Sequence, residues 1–85
     1  MQKYLLHGKL NAVAGKQNEL VDILSEAAKL VQSAKGCHSY VVSTDPTDKQ
    51  AVWITEIWDS KEDHDHSLSF PGVRELIGKA MPIID

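Results

Sequence analysis

Residues 36–60 read Gly36-Cys37-His38-Ser39-Tyr40-Val41-Val42-Ser43-Thr44-Asp45-Pro46-Thr47-Asp48-Lys49-Gln50-Ala51-Val52-Trp53-Ile54-Thr55-Glu56-Ile57-Trp58-Asp59-Ser60. Tyr40, Val41, Val42 and Thr44 favour extended backbone, because aromatic and β-branched side chains pack well on a pleated, half-buried surface. Asp45-Pro46-Thr47-Asp48 is turn chemistry: an aspartate bonds the backbone just after it, and proline fixes φ. Ala51–Trp58 then returns as a second strand, so Cys37–Trp58 is a β-hairpin with a longish loop. Alternation puts Val52, Ile54, Glu56 and Trp58 on one face of that strand and Trp53, Thr55 and Ile57 on the other. Two apolar faces predict burial on both sides, by helices on one and by a second copy's sheet on the other.

On the N-terminal side of the hairpin, Leu20, Ile23, Leu24, Ala27, Leu30 and Val31 recur at three- and four-residue steps. That spacing lines one face of a helix, with Glu19, Asp22, Glu26 and Lys29 on the opposite face. Gly15 precedes the helix, and Gly36 stops it as a residue able to take positive φ without steric cost. Tyr4–Val13 reads as a strand. After the hairpin, Asp59 or Ser60 caps a short helix, with Glu62 or Asp63 placed to complete the cap. Pro71 suits the first turn of a last helix, Val73–Ala80, which Pro82 ends.

The order is β-α-β-β-α-α. A right-handed crossover between the first two strands leaves the third to pair between them. The fold class is therefore α+β: a ferredoxin-like sheet with helices on one face and its usual fourth strand missing. The chain stops at Asp85, where that strand should begin. Truncation is favoured over an edge left for a partner, because an uncovered edge strand invites aggregation.

Residues 1–85 make one small domain, which buries only about 60–65% of the surface its unfolded chain exposes. Association with a second copy hides apolar area that a monomer leaves wet. Apolar residues form 42% and charged residues 25% of the chain, which argues against disorder. A net charge of −3 with no basic cluster argues against a nucleic-acid partner. The N-terminus has no sustained apolar run, so neither a signal peptide nor a membrane span is expected. The single cysteine fits a reducing compartment, and the cytoplasm is the expected location.

Several landmarks together resemble the antibiotic biosynthesis monooxygenase family. Gly36-Cys37 followed by Tyr40 is similar to that family's Gly-Cys-x-x-Tyr opening of the second strand. Glu56-x-Trp58-Asp59-Ser60 resembles its passage from the third strand into a helix. Leu68, Pro71 and the stretch from Val73 through Ala80-Met81-Pro82-Ile83-Ile84 resemble the helix that closes its pocket. The resemblance spans the chain up to the missing strand. It implies a homodimer whose sheets pack into a shared α+β barrel. It also implies oxygenation of phenolic or quinol-type aromatics without metal or flavin, so no cofactor is expected. Family members often carry a histidine on the short helix at the place of Ser67; here the histidines are His64 and His66. Haem-degrading relatives use an asparagine in the first strand, a tryptophan on the short helix and a histidine on the last. The matching places are Gly8, Ser67 and a stretch around Ile77 without histidine, so haem binding is not expected.

Oxygenation of this kind needs a proton acceptor, hydrogen-bond donors and an apolar pocket with aromatic walls. His64 is the first candidate base. It shares a helix face with Leu68, four residues on, and imidazoles in general titrate near neutrality; the plainer alternative is a histidine covering the sheet edge. His66 falls on the opposite side. Glu62-Asp63-His64-Asp65-His66 has metal-ligand residue types, but alternate residues diverge on a helix, so a solvated acidic face is preferred and no metal is expected. Glu56 is either a pocket carboxylate of raised pKa or, preferably, the partner of a cation across the sheet. Trp58 is a core residue or a pocket wall. His38 shares its strand face with Tyr40 and Val42, towards either the cavity or the dimer interface. Arg74 either holds an anionic substrate or, preferably, lies on the surface. Cys37 is a small buried hydrophobe, with no basic partner to make it a nucleophile.

Three functions follow from these residues. The first is a small cofactor-independent monooxygenase acting on a phenolic, quinol or polyketide-like aromatic. The second is a non-catalytic domain that binds a small apolar ligand, and the third a dimeric interaction module with a filled interior. An inward His64 beside an open cavity favours the first. An open cavity without polar convergence favours the second, and a packed interior the third.

Overall fold

Trp58, Leu20 and Val52 are the largest side chains wholly removed from solvent, and they mark where sheet and helices meet. The computed structural model describes residues 2–85. Its elements are β1 (Tyr4–Asn11), α1 (Gln17–Val31), β2 (Cys37–Ser43), β3 (Ala51–Trp58), α2 (Lys61–Ser67) and α3 (Val73–Ala80), then one 3-10 turn at Met81–Ile83. The strand order is β1-β3-β2, with β3 antiparallel to both neighbours, as expected for the ferredoxin-like class. Among the described residues no helix is long and apolar enough to cross a membrane.

The core has two clusters. Ala12, Leu20, Val52 and Ala80 form one; Val31, Ala34, Trp58 and Val73 form the other. Leu20, Ala27 and Val31 are the buried residues of α1, in line with the helical period. Removing a buried leucine side chain costs about 2–5 kcal/mol, so Leu20 is a principal tie between α1 and the sheet. Leu30 stands further out: its Cδ1 lies 3.0 Å from where a Cβ on Gly72 would sit. Gly72, at φ +88°, thus lets the loop before α3 pass close over α1.

The other sheet face is uncovered in the single chain. Leu5 and Val41 are 61% and 49% exposed, and Trp53, Thr55 and Ile57 are half-buried between them. His7 stacks on Trp53 at 5.2 Å, with its Nδ1 2.9 Å from Thr55 Oγ1.

The last helix keeps its expected range, Val73–Ala80, but two other element ends and two finer expectations change, each for a local reason. β1 ends at Asn11, because Ala12 bridges to Ile84 and Val13 donates to the Ile83 carbonyl at 2.7 Å. The last residues thus start a ladder on the outer edge of β1, the place expected for a fourth strand. α1 ends at Val31, five residues before Gly36, because successive turns take over its carbonyls: Ala34 donates to Val31 and Cys37 to Ala34. Gly36 instead takes φ +81° at the start of β2, closely overlain by the Asp63 carboxyl. Pro71 lies outside α3, whose N-cap is Gly72, and Pro82 sits within the closing turn. Finally, β2 is irregular between Cys37 and Ser39: Cys37 pairs with Trp58, yet Ser39 pairs with Ile57 and Tyr40 with Glu56. His38 is the extra residue of a β-bulge.

Candidate active site

Between the helices and the sheet, members of both core clusters line a cavity of about 200 Å³. α1 contributes Ile23, Leu24 and Ala27, and α3 contributes Leu76, Ile77 and Ala80. Leu68, Ile77 and Met81 also line it while 46%, 41% and 64% exposed, which makes them its apolar rim. Four polar side chains interrupt this wall: Tyr40 from β2, Glu56 from β3, and His64 and Ser67 from α2. No lysine or arginine lines it among the described residues.

The phase of α2 decides which histidine faces inward. Ser60, extended at φ −153°, caps the helix and accepts a hydrogen bond from the Asp63 N–H at 3.2 Å. Ser60 is thus the cap, and Asp59 instead bonds His38 and Lys3. His64 then points at the sheet with its side chain 13% exposed, and His66 points outward. The imidazole of His64 lies edge-on to the Trp58 ring at 5.8 Å and tilted against Tyr4 at 5.8 Å. Its Nδ1 is 3.1 Å from Asp65 Oδ1, and its Nε2 is 3.8 Å from Glu56 Oε1. Lys61 Nζ holds Asp65 from the solvent side at 2.9 Å.

Glu56 is 6% exposed, and its Oε1 accepts a hydrogen bond from Trp58 Nε1 at 2.9 Å. Burial pushes its carboxyl above the ordinary value, against the downward pull of the Trp58 hydrogen bond and of His64. Burial also raises the Tyr40 phenol to about 12, helped by the neighbouring Glu56 and Cys37. Tyr40 therefore keeps its proton at neutral pH and can only donate to, not deprotonate, a ligand. Cys37 is raised as well, by burial first and Glu56 second, which is the opposite of an activated nucleophile.

The cavity thus brings together His64, Glu56 and Tyr40, with Leu68 at the rim beyond the end of α2. Three other candidates lie elsewhere. Trp58 is fully buried in the core and reaches the site only through its bond to Glu56. His38 faces solvent, because the bulge rotates it away from Tyr40; its Nε2 is 2.6 Å from Asp59 Oδ1. Arg74 is exposed and off the cavity wall, since α3 presents Val73, Leu76 and Ala80 inward. Glu56 has no lysine or arginine across the sheet, so the pocket-carboxylate alternative describes it. Ser67, Asp65 and Tyr4 were not singled out for the site from sequence. The alternation that puts Trp58 on the helix face also puts Tyr4 there, because the two are register partners. Gly8, Ser67 and Ile77 offer no iron ligand.

A three-stranded antiparallel sheet carrying its helices on one face, with a cavity between them, defines a ferredoxin-like α+β fold. Residues 4–79 match the antibiotic biosynthesis monooxygenase family, and the chain belongs to that family. It is similar to a candidate antibiotic biosynthesis monooxygenase of Chloroflexus aurantiacus J-10-fl, at 47% identity over 98% of this chain and 82% of that one, with a TM-score of 0.88. A second such protein, from Deinococcus radiodurans, is 28% identical over 99% of this chain and 83% of its own, with a TM-score of 0.83. SnoaB, a cofactor-independent oxygenase from Streptomyces nogalater, shares the fold at 10% identity, over 100% of this chain and 86% of its own, with a TM-score of 0.82. No curated protein matches the sequence.

Proposed function

We propose that the chain is a cofactor-independent monooxygenase that oxidises a small phenolic or quinol-type aromatic, with His64 as the base. One observation carries this: an otherwise apolar cavity has its polar groups, His64, Glu56 and Tyr40, gathered at the sheet. A cavity of about 150 Å³ holds benzene, so about 200 Å³ suits one ring with its substituents. Asp65 on Nδ1 favours the tautomer whose Nε2 lone pair faces inward. Nε2 takes the phenolic proton, Tyr40 donates to the resulting oxyanion, and the apolar wall keeps bulk water from the ring as it meets dioxygen. The substrate is its own reductant: a quinol and O2 give a hydroxyquinone and water, one oxygen atom in each. The work is done by a homodimer joined through the open sheet face, in a reducing compartment such as the cytoplasm.

Oxygen uptake against a panel of quinols, with and without chelator, tests the proposal. Uptake dependent on the protein and insensitive to chelator is the expected result. Uptake no faster than autoxidation across the panel removes the oxygenase reading and leaves a ligand-binding domain.

A further inference from the structure

The charge of the site selects among aromatic ligands. Among the described residues the only formally charged lining group besides the imidazole is the Glu56 carboxylate, and no lysine or arginine faces the cavity. The nearby cations are engaged outside it, Lys3 on Asp59 and Lys61 on Asp65. Protonating His64 would not make the site cationic: Glu56 at 3.8 Å and Asp65 at 3.1 Å face its two nitrogens, and with Lys61 on Asp65 the four charges cancel. Every other wall is aliphatic or a neutral hydroxyl, and the Ser67 hydroxyl is already spent on the His64 carbonyl. A ligand carboxylate entering here would lose its hydration with no counter-ion to replace it, and would meet a like charge in a poorly solvated space.

We infer that the cavity takes uncharged or cationic single-ring hydroxyaromatics and rejects those bearing a carboxylate, with Glu56 as the residue that sets this preference. The inference rests on the proposed aromatic-binding role of the cavity but not on oxygenation. Like charges brought together in such a site cost several kcal/mol, which corresponds to an affinity loss of about 100-fold or more.

An isosteric series tests it: 4-hydroxybenzamide, 4-hydroxybenzoate and 4-hydroxybenzamidine, titrated calorimetrically at about pH 7. The amide and amidine are expected to bind the native protein about 100-fold more tightly than the acid. Glu56→Gln, which keeps an acceptor for Trp58 Nε1, is expected to bring the acid to within about tenfold of the amide and to weaken the amidine. Equal binding of acid and amide by the native protein would overturn the inference. So would an unchanged ranking in a folded Glu56→Gln variant, or binding of none of the three. Correct ranking without oxygen uptake on the quinol panel would sustain charge selection while the oxygenase proposal fell.

Discussion

His64 Nε2 and Glu56 Oε1 lie 3.8 Å apart, an imidazole and a carboxylate held face to face by different elements, yet beyond hydrogen-bond distance. The carboxylate is occupied by Trp58 Nε1, and the far side of the imidazole by Asp65. A ligand hydroxyl is therefore what would engage Nε2.

Substitution of the two α2 histidines should separate chemistry from packing. Loss of a general base costs about 10²–10⁴ in rate. His64→Ala should lower oxygenase turnover by that factor, while exposed His66→Ala leaves it within about twofold. Initial rates of oxygen uptake, with circular dichroism to verify folding, decide the matter. Equal small effects would make His64 ordinary packing.

The open sheet face should hold two copies together. Thr55 sits at its centre, paired with His7 on one side and Val41 on the other. Thr55→Arg should convert a dimer into a folded monomer in sedimentation velocity at micromolar concentration, since a self-complementary interface meets the new charge twice. A native protein that sediments as a monomer would remove the dimer.

Glu56 should make stability fall with rising pH. Its folded carboxyl titrates above the ordinary value, so in the window between the two the native state holds a proton the unfolded chain has lost. Stability tied to this group is present below the window and lost as pH rises through it. Glu56→Gln should therefore gain on the native protein as pH rises from the ordinary carboxylate value through the raised one, read as the difference in urea midpoints. A constant difference across that range would mean that burial does not perturb Glu56.

Two glycines share a φ of +81° but differ in surroundings: a Cβ on Gly15 meets nothing within 4 Å, whereas one on Gly36 runs into Asp63. Gly15→Ala should cost about 1–2 kcal/mol from backbone strain alone. Gly36→Ala should cost more, because Asp63 must also move. Chemical denaturation of both variants measures the gap.

Much of this was legible in the sequence because period and burial agree. Leu20, Ala27 and Val31 repeat with the helix, and Val52, Glu56 and Trp58 alternate with the strand, so both elements and the inward face of β3 follow. His64 was legible once Ser60 or Asp59 was taken as a cap, since the cap sets the helix phase. What escaped depends on side-chain rotamers and on one long-range contact. That Trp58 Nε1 binds Glu56, two residues away, and that Asp65 bonds the adjacent His64 are rotamer choices; that Gly36 serves Asp63 and not the end of α1 is a tertiary fact with no local signature. His38 does not share the cavity face with Tyr40: strict alternation cannot register an inserted residue.

That inserted residue has its own consequence. Cys37 and Tyr40 are three apart and both look toward the helices, which a regular strand forbids. Between them His38 acts as a phase slip in a periodic signal: its side chain is spectator, its backbone is spacer. The position should accept almost any side chain and even deletion, because without it Cys37, Ser39 and Tyr40 would still stand opposite Trp58, Ile57 and Glu56 in plain alternation. What position 38 adds is a length, and the Gly-Cys-x-x-Tyr spacing is the trace this leaves in the sequence.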